Sequence, residues 1–163
     1  MLAANAQNIP QQLRASPPAA QALPGAVIVS DNYITCEQGH EHWGLHGAAG
    51  LLIYHVDEQG VVRFLFQKRS AGVHHSGTWS IPGGALHYGE QPADGAKREA
   101  GEELGPENLT GLSQSGLTFM NDHGGWAYYT VAMKSQSQFT SEPSWESDAT
   151  TWLTVDELTK LPV

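Results

Sequence analysis

Residues 84–105 read GALHYGEQPADGAKREAGEELG, and their spacing decides both the fold and the chemistry to expect. Pro92 suits the first turn of a helix, where its missing N–H would have no intrahelical partner. Ala93, Ala96, Ala100 and Leu104 then recur at helical spacing, and Gly105-Pro106 ends the run. On that helix Glu99, Glu102 and Glu103 stand at i, i+3 and i+4 and share one face, while the alanines and Leu104 line another. Three like charges so placed repel one another unless something binds between them. Carboxylate oxygens suit Mg²⁺ or Mn²⁺, with substrate phosphates and water completing the shell. Arg98 is adjacent and can hold a carboxylate by a bidentate contact, fixing its rotamer. A solvated acidic helix, partly balanced by Lys97 and Arg98, would account for three glutamates alone. It does not account for Gly84, Glu90, Arg98, Glu99, Glu102, Glu103 and Gly105 together. Seven such residues, each about 6% abundant, coincide in one spacing with odds of roughly 10⁻⁹.

Outward from this segment the pattern is strand-rich. Upstream, 48–56 is a small and apolar run, 57–60 a turn, and 61–68 alternates through Val62, Phe64 and Phe66, which together read as a hairpin. A loop over 70–78 holds Gly72, His74, His75 and Gly77, and 79–84 is a short extended piece ending in paired glycines. Downstream, 117–120 and 126–133 read as two strands joined by a turn at 121–125. A polar, serine-rich loop covers 134–147, a last strand 149–153, and a short helix 155–161. Strands around a mid-chain helix, with another helix at the end, predict an α/β fold with a mixed sheet between helices. Nearer the start, 26–29 reads as a short strand and 31–39 as a turn-rich connection. Residues 1–25 are mostly Ala, Gln, Pro and Asn and bury too little apolar surface to offset their ordering entropy. They are expected to form a flexible tail ahead of one domain at 26–163.

Composition narrows the function classes. The chain of 163 residues carries a net charge of −9, and Arg14 is the only charged residue in 1–30, so the remainder holds about −10. Such a body is a poor partner for duplex nucleic acid or an anionic membrane, both polyanions. It can still take a phosphorylated small molecule through bridging divalent cations. Cys36 is the sole cysteine, which rules out an internal disulfide and fits a reducing compartment. No apolar stretch is long enough to span a bilayer, and the start lacks a secretory pattern. A cytoplasmic protein is expected.

With these residues in view, 84–105 resembles the Nudix box, the signature of the Nudix hydrolase superfamily, and the likeness extends over roughly 47–160. Pro106 departs from the family pattern, which has an aliphatic packing residue there. The resemblance implies a Nudix-type α/β/α sandwich with a central mixed sheet and the box as a loop–helix–loop. It implies that Glu99, Glu102 and Glu103, with the backbone carbonyl of Gly83, coordinate Mg²⁺, for which Mn²⁺ can substitute. Glu90 and Arg98 would orient those carboxylates. The implied reaction is attack of water on a phosphorus of a nucleoside diphosphate derivative, with a carboxylate such as Glu103 accepting the proton. Every box carboxylate is present, which favours a catalyst over a non-catalytic nucleotide-binding module. A nucleoside triphosphate or modified nucleotide is the default substrate, and ADP-ribose or another sugar nucleotide the alternative.

Outside the box, Glu146 resembles the glutamate that family members often use as a further ligand or base. Arg69, with Lys68, ends the second strand, where family members often contact substrate phosphates. His123 and Trp126 flank the turn at 121–125 and are candidates for lining a substrate pocket. Trp152 is a candidate for stacking on a nucleobase, with core packing the competing reading. His74 and His75 sit on the loop ahead of the box. Cys36, His40, His42 and His46 suggest a metal site by residue type, but their spacing does not match paired zinc ligands. The oligomeric state cannot be read from the sequence.

Overall fold

The small, apolar run at 48–56 becomes the central strand of a mixed sheet, with a parallel neighbour on one side and an antiparallel one on the other. The computed structural model describes residues 32–71, 76–144 and 146–161. In chain order the strands are β1 (Tyr33–Thr35), β2 (Glu41–Trp43), β3 (Ala48–Val56), β4 (Val62–Arg69), β5 (Trp79–Ser80) and β6 (Gly83–Ala85). After helix α1 (Pro92–Leu104) and a 3₁₀ turn come β7 (Leu112–Asp122), β8 (Ala127–Ser135), β9 (Ser147–Leu153) and α2 (Val155–Leu158). The main sheet runs β5-β4-β3-β8-β7, with β6 beside β3 and β9 beside β4. Among the described strands only β3 and β8 pair in parallel, in the register Leu51↔Val131. Strands buried on both faces read as continuous apolar runs, which is how β3 reads.

Helix α1 covers this strand. Ala96 and Ala100 are fully buried and Leu104 nearly so, and they meet Leu51, Ile53, Leu65, Val131 and Met133 in one core. Alanines at the contact let the helix approach closely. Each fully buried Leu or Ile contributes about 1.5–3 kcal/mol by its removal from water. β6 lies so close against β3 that a Cβ on Gly83 would collide with the Ala49 carbonyl and the Gly50 Cα, so only glycine fits. The result is the expected α/β/α class of architecture built on a mixed sheet.

Several expected elements change in extent. The connection at 31–39 contains β1, which pairs antiparallel with β2 through Ile34↔His42. Two three-residue strands are too short to show a period in the sequence. β7 is much longer than 117–120, because its register shifts between Gln114 and Thr118 around Gly116 at φ 77°. A bulge of this kind interrupts the alternation by which a strand is recognised. The last strand starts earlier, at Ser147, and the final helix stops at Leu158. Its start is fixed by a capping box in which Thr154 and Glu157 bond each other's backbone N–H. The strand expected at 26–29, the tail at 1–25 and the histidines at 74 and 75 lie outside the described residues.

Candidate active site

Close packing of α1 against β6 decides where Glu99 points. The Glu99 carboxylate rests against Gly84, at the spot where any Cβ would stand. Arg98 locks the arrangement from the other side. Its Nε and Nη2 donate to the two oxygens of Glu90, each at 2.9 Å, and Nη2 also donates to the Ala85 carbonyl. Nη1 donates to Glu99 Oε1 at 2.6 Å, and Glu102 lies 3.6 Å from the same nitrogen. Burial pushes the Glu90 carboxyl up, but the Arg98 hydrogen bonds and the His87 N–H together hold it below its ordinary value. Glu99 moves the other way: burial raises it, with Glu102 and Glu146 adding repulsion against the pull of Arg98.

The three glutamates, one face by spacing, are separated by environment. Glu102 has a side chain 64% exposed, whereas Glu103 is only 5% exposed. Glu103 Oε2 accepts from Gln67 Nε2 at 2.6 Å and from the Gly83 N–H at 3.1 Å. Its carboxyl also shares a hydrogen bond with that of Glu146. Burial, and then Glu146, push Glu103 up to about 8. The partner arrives on a loop that β9 carries to the end of β4. There Ser147 stands opposite Arg69, and the Ser70 N–H donates to the Glu146 carbonyl at 2.9 Å. Tyr128 of β8 closes the group, its hydroxyl pushed up to about 12 by burial and by Glu103, with Arg69 opposing.

Two carboxyls sharing a proton, with Glu99 raised beside them, form a donor set of hard oxygens short of positive charge. That is the chemistry a divalent cation such as Mg²⁺ satisfies. The residues therefore fit the metal that the sequence implies. Gln67 and Tyr128 were not singled out from the sequence. The signal for Gln67 was a polar residue two positions after Leu65, hence on the same face of the strand, where burial demands a partner.

The remaining candidates disperse. Trp152 packs on the core, its indole N–H donating to the Phe139 carbonyl at 2.7 Å and its ring edge-on to Phe139. Trp126 stacks on His42 with centroids 3.9 Å apart, and donates from its indole to the Gly44 carbonyl. It also lines a cavity of about 300 Å³ with His46, Met120, Asp122 and Tyr129. His123 turns towards Cys36, His40 and His42. His46 stays apart from them, edge-on to Tyr88.

The family model of the NUDIX domain matches residues 44–163. This chain belongs to the Nudix family. It is 36% identical over 135 residues to a nucleoside triphosphate pyrophosphatase/Nudix hydrolase fusion protein of Bifidobacterium longum, a match covering 78% of this chain and 27% of that one. It is 32% identical over 139 residues to a putative 8-oxo-dGTP diphosphatase 3 of Mycobacterium tuberculosis, covering 82% of this chain and 63% of that one. The chain thus spans less than two thirds of the length of these two relatives. Among solved structures, the Nudix hydrolase RenU of M. smegmatis superposes with a TM-score of 0.72 at 32% identity, covering 82% of this chain and 85% of its own. An Ap4A hydrolase of C. elegans shares the fold at 24% identity, with a TM-score of 0.54, 70% of this chain and 84% of that one covered. Among the described residues of the Nudix chain no helix is long and apolar enough to cross a membrane.

Proposed function

We propose that this Nudix protein is a Mg²⁺-dependent pyrophosphohydrolase of nucleoside triphosphates or modified nucleotides. The observation that carries the reading is the Glu103–Glu146 carboxyl pair beside Glu99, whose own carboxylate the Arg98–Glu90 fork holds. Glu99, Glu102, Glu103 and the Gly83 carbonyl would hold Mg²⁺, or Mn²⁺ in its place. The cation, when bound, neutralises phosphoryl charge and lowers the pKa of water. Arg98 and Glu90 keep the carboxylates in one rotamer, so little reorganisation is needed during reaction. A water oxygen forms the new bond to phosphorus while the anhydride P–O bond breaks, and the Glu103–Glu146 pair accepts the water's proton. Arg69, at the end of β4, would contact substrate phosphate. Trp126, on the wall of the cavity, would contact the remainder of the substrate. The buried, unpaired thiol of Cys36 suits a reducing cytoplasm.

Among modified nucleotides, an oxidised purine triphosphate is favoured by the name of the 32% identical M. tuberculosis relative. The test is a panel assay in Mg²⁺ with dGTP, 8-oxo-dGTP, ADP-ribose and NADH, reading pyrophosphate, phosphate and nucleoside monophosphate. Hydrolysis of the triphosphates, the oxidised one fastest, is expected. Turnover of ADP-ribose alone would move the reading to sugar nucleotides. Tight, metal-independent binding without turnover of any of them would overturn the enzyme.

A further inference from the structure

We propose that Cys36, His40, His42 and His123 form a structural zinc site that clamps the β1–β2 hairpin to the turn between β7 and β8. The four side chains come from two places far apart in the sequence. Each offers one ligand atom, and these atoms all lie within 4.8 Å of one another. A tetrahedral zinc ion with one sulfur and three nitrogens needs ligand atoms roughly 3.3–3.8 Å apart, so small rotations of the rings complete the shell. One thiolate and three imidazoles is a donor set for a borderline cation, unlike the all-oxygen group on α1.

The surrounding backbone holds this geometry before any ion arrives. Between β1 and β2 the Cys36 N–H bonds the His40 carbonyl and the Gly39 N–H bonds the Cys36 carbonyl, both at 2.9 Å. Gly39 at φ 84° makes this turn possible. The Glu37 N–H donates to the Gly124 carbonyl, tying the hairpin to the turn that carries His123. A second, independent observation comes from the rings. Nε2 of His42 and Nδ1 of His123 are buried without a hydrogen-bond partner. The rings stand 4.7 Å apart at 75°, with His42 held flat against Trp126. A buried ring nitrogen without a partner costs about 1–3 kcal/mol, and a metal ion at the centre of the cluster relieves both at once. Cys36 is itself 5% exposed, and the chain has no second thiol to pair with it. All four positions of the ion are filled by protein, which marks a structural rather than a catalytic centre.

The test uses the tag-free full chain, dialysed in excess Mg²⁺ without chelator so that the oxygen site is occupied by Mg²⁺. Elemental analysis is expected to find about one zinc per chain, as a closed four-ligand site retains its ion. Cys36→Ser and His123→Asn should each retain less than about a tenth of that. Replacing zinc by Co²⁺ in the wild type should give a thiolate-to-cobalt band in the near ultraviolet together with intense visible bands of tetrahedral cobalt. This reading stands even if the variants fail to fold. A wild-type chain that retains no zinc and gives no thiolate–cobalt band overturns the proposal. So does wild-type zinc content in both variants, or retention of copper or iron in place of zinc.

Discussion

The molecule holds two clusters of metal-ligand side chains, and they are built in opposite ways. Glu99, Glu102 and Glu103 come from a single turn of one helix, and Arg98 and Glu90, which brace them, lie within the same 22-residue segment. Cys36, His40, His42 and His123 come from a short hairpin and a distant turn, and no contiguous segment contains them all. The first cluster stays open towards Glu146 and solvent through Glu102. The second brings four ligands of its own, enough to close a tetrahedral shell, with Trp126 stacked on His42. An open group of oxygens leaves room for phosphates and water, whereas a closed group of nitrogens and sulfur leaves room for nothing but the ion. Ligand type and openness together separate a reaction centre from a clamp.

The comparison can be broken most sharply at Glu103. Glu103→Gln is expected to lower kcat by about 10³-fold, the scale seen when a group stabilising the transition state is removed. The same change should raise the melting temperature of the metal-free protein at pH 8, because a buried carboxyl already shifted to about 8 gives way to a neutral amide. Steady-state kinetics and thermal unfolding measure the two effects. Wild-type turnover would remove Glu103 from the reaction. Glu102→Gln, on the exposed side of the same turn, should also lower turnover by orders of magnitude but leave the metal-free melting temperature unchanged.

Arg98→Lys tests the brace rather than the ligands. A lysine cannot fork across both oxygens of Glu90, so turnover should fall about 10–100-fold with the fold intact. An unchanged rate would show that the carboxylates hold their rotamers without it.

A smaller effect separates the oxygen cluster from its cation. In the folded metal-free protein Glu103 holds its proton from 4.5 up to about 8, a range in which the unfolded chain has lost it. Stability without metal should therefore fall as pH rises through that window, because burial and Glu146 both oppose the forming charge. Saturating Mg²⁺ should flatten the curve, and melting temperatures against pH with and without Mg²⁺ measure it. Identical slopes would place the cation elsewhere. The smallest change is expected from the clamp side. Trp126→Ala should raise KM about fivefold, the lower end of what an aromatic stack contributes, and move kcat little. A fall in kcat with KM unchanged would tie Trp126 to the reacting atoms instead.

How much of this was legible follows from locality. The bounds of α1 agree with the sequence reading, because Pro92, the alanine spacing and Gly105 are local signals. β3 agrees as well, since a nine-residue apolar run has few other fates. β1 and β2 were missed because three residues carry no period, and β7 was cut short by its bulge at Gly116. At the site, Glu90, Arg98 and the three glutamates were legible from spacing, whereas Gln67 and Tyr128 were not, because their role depends on which strands become neighbours.

By itself the sequence determined the family, the helix and the chemical character of its acidic face, since residues three and four apart on a helix are neighbours whatever surrounds them. Only the tertiary structure decided that Glu103 is buried and Glu102 exposed, and that Glu146 meets Glu103. It also decided that His123, not His46, joins Cys36, His40 and His42. These are encounters between strands and loops paired across the sheet. Their partners are chosen by packing and register, which no local spacing records.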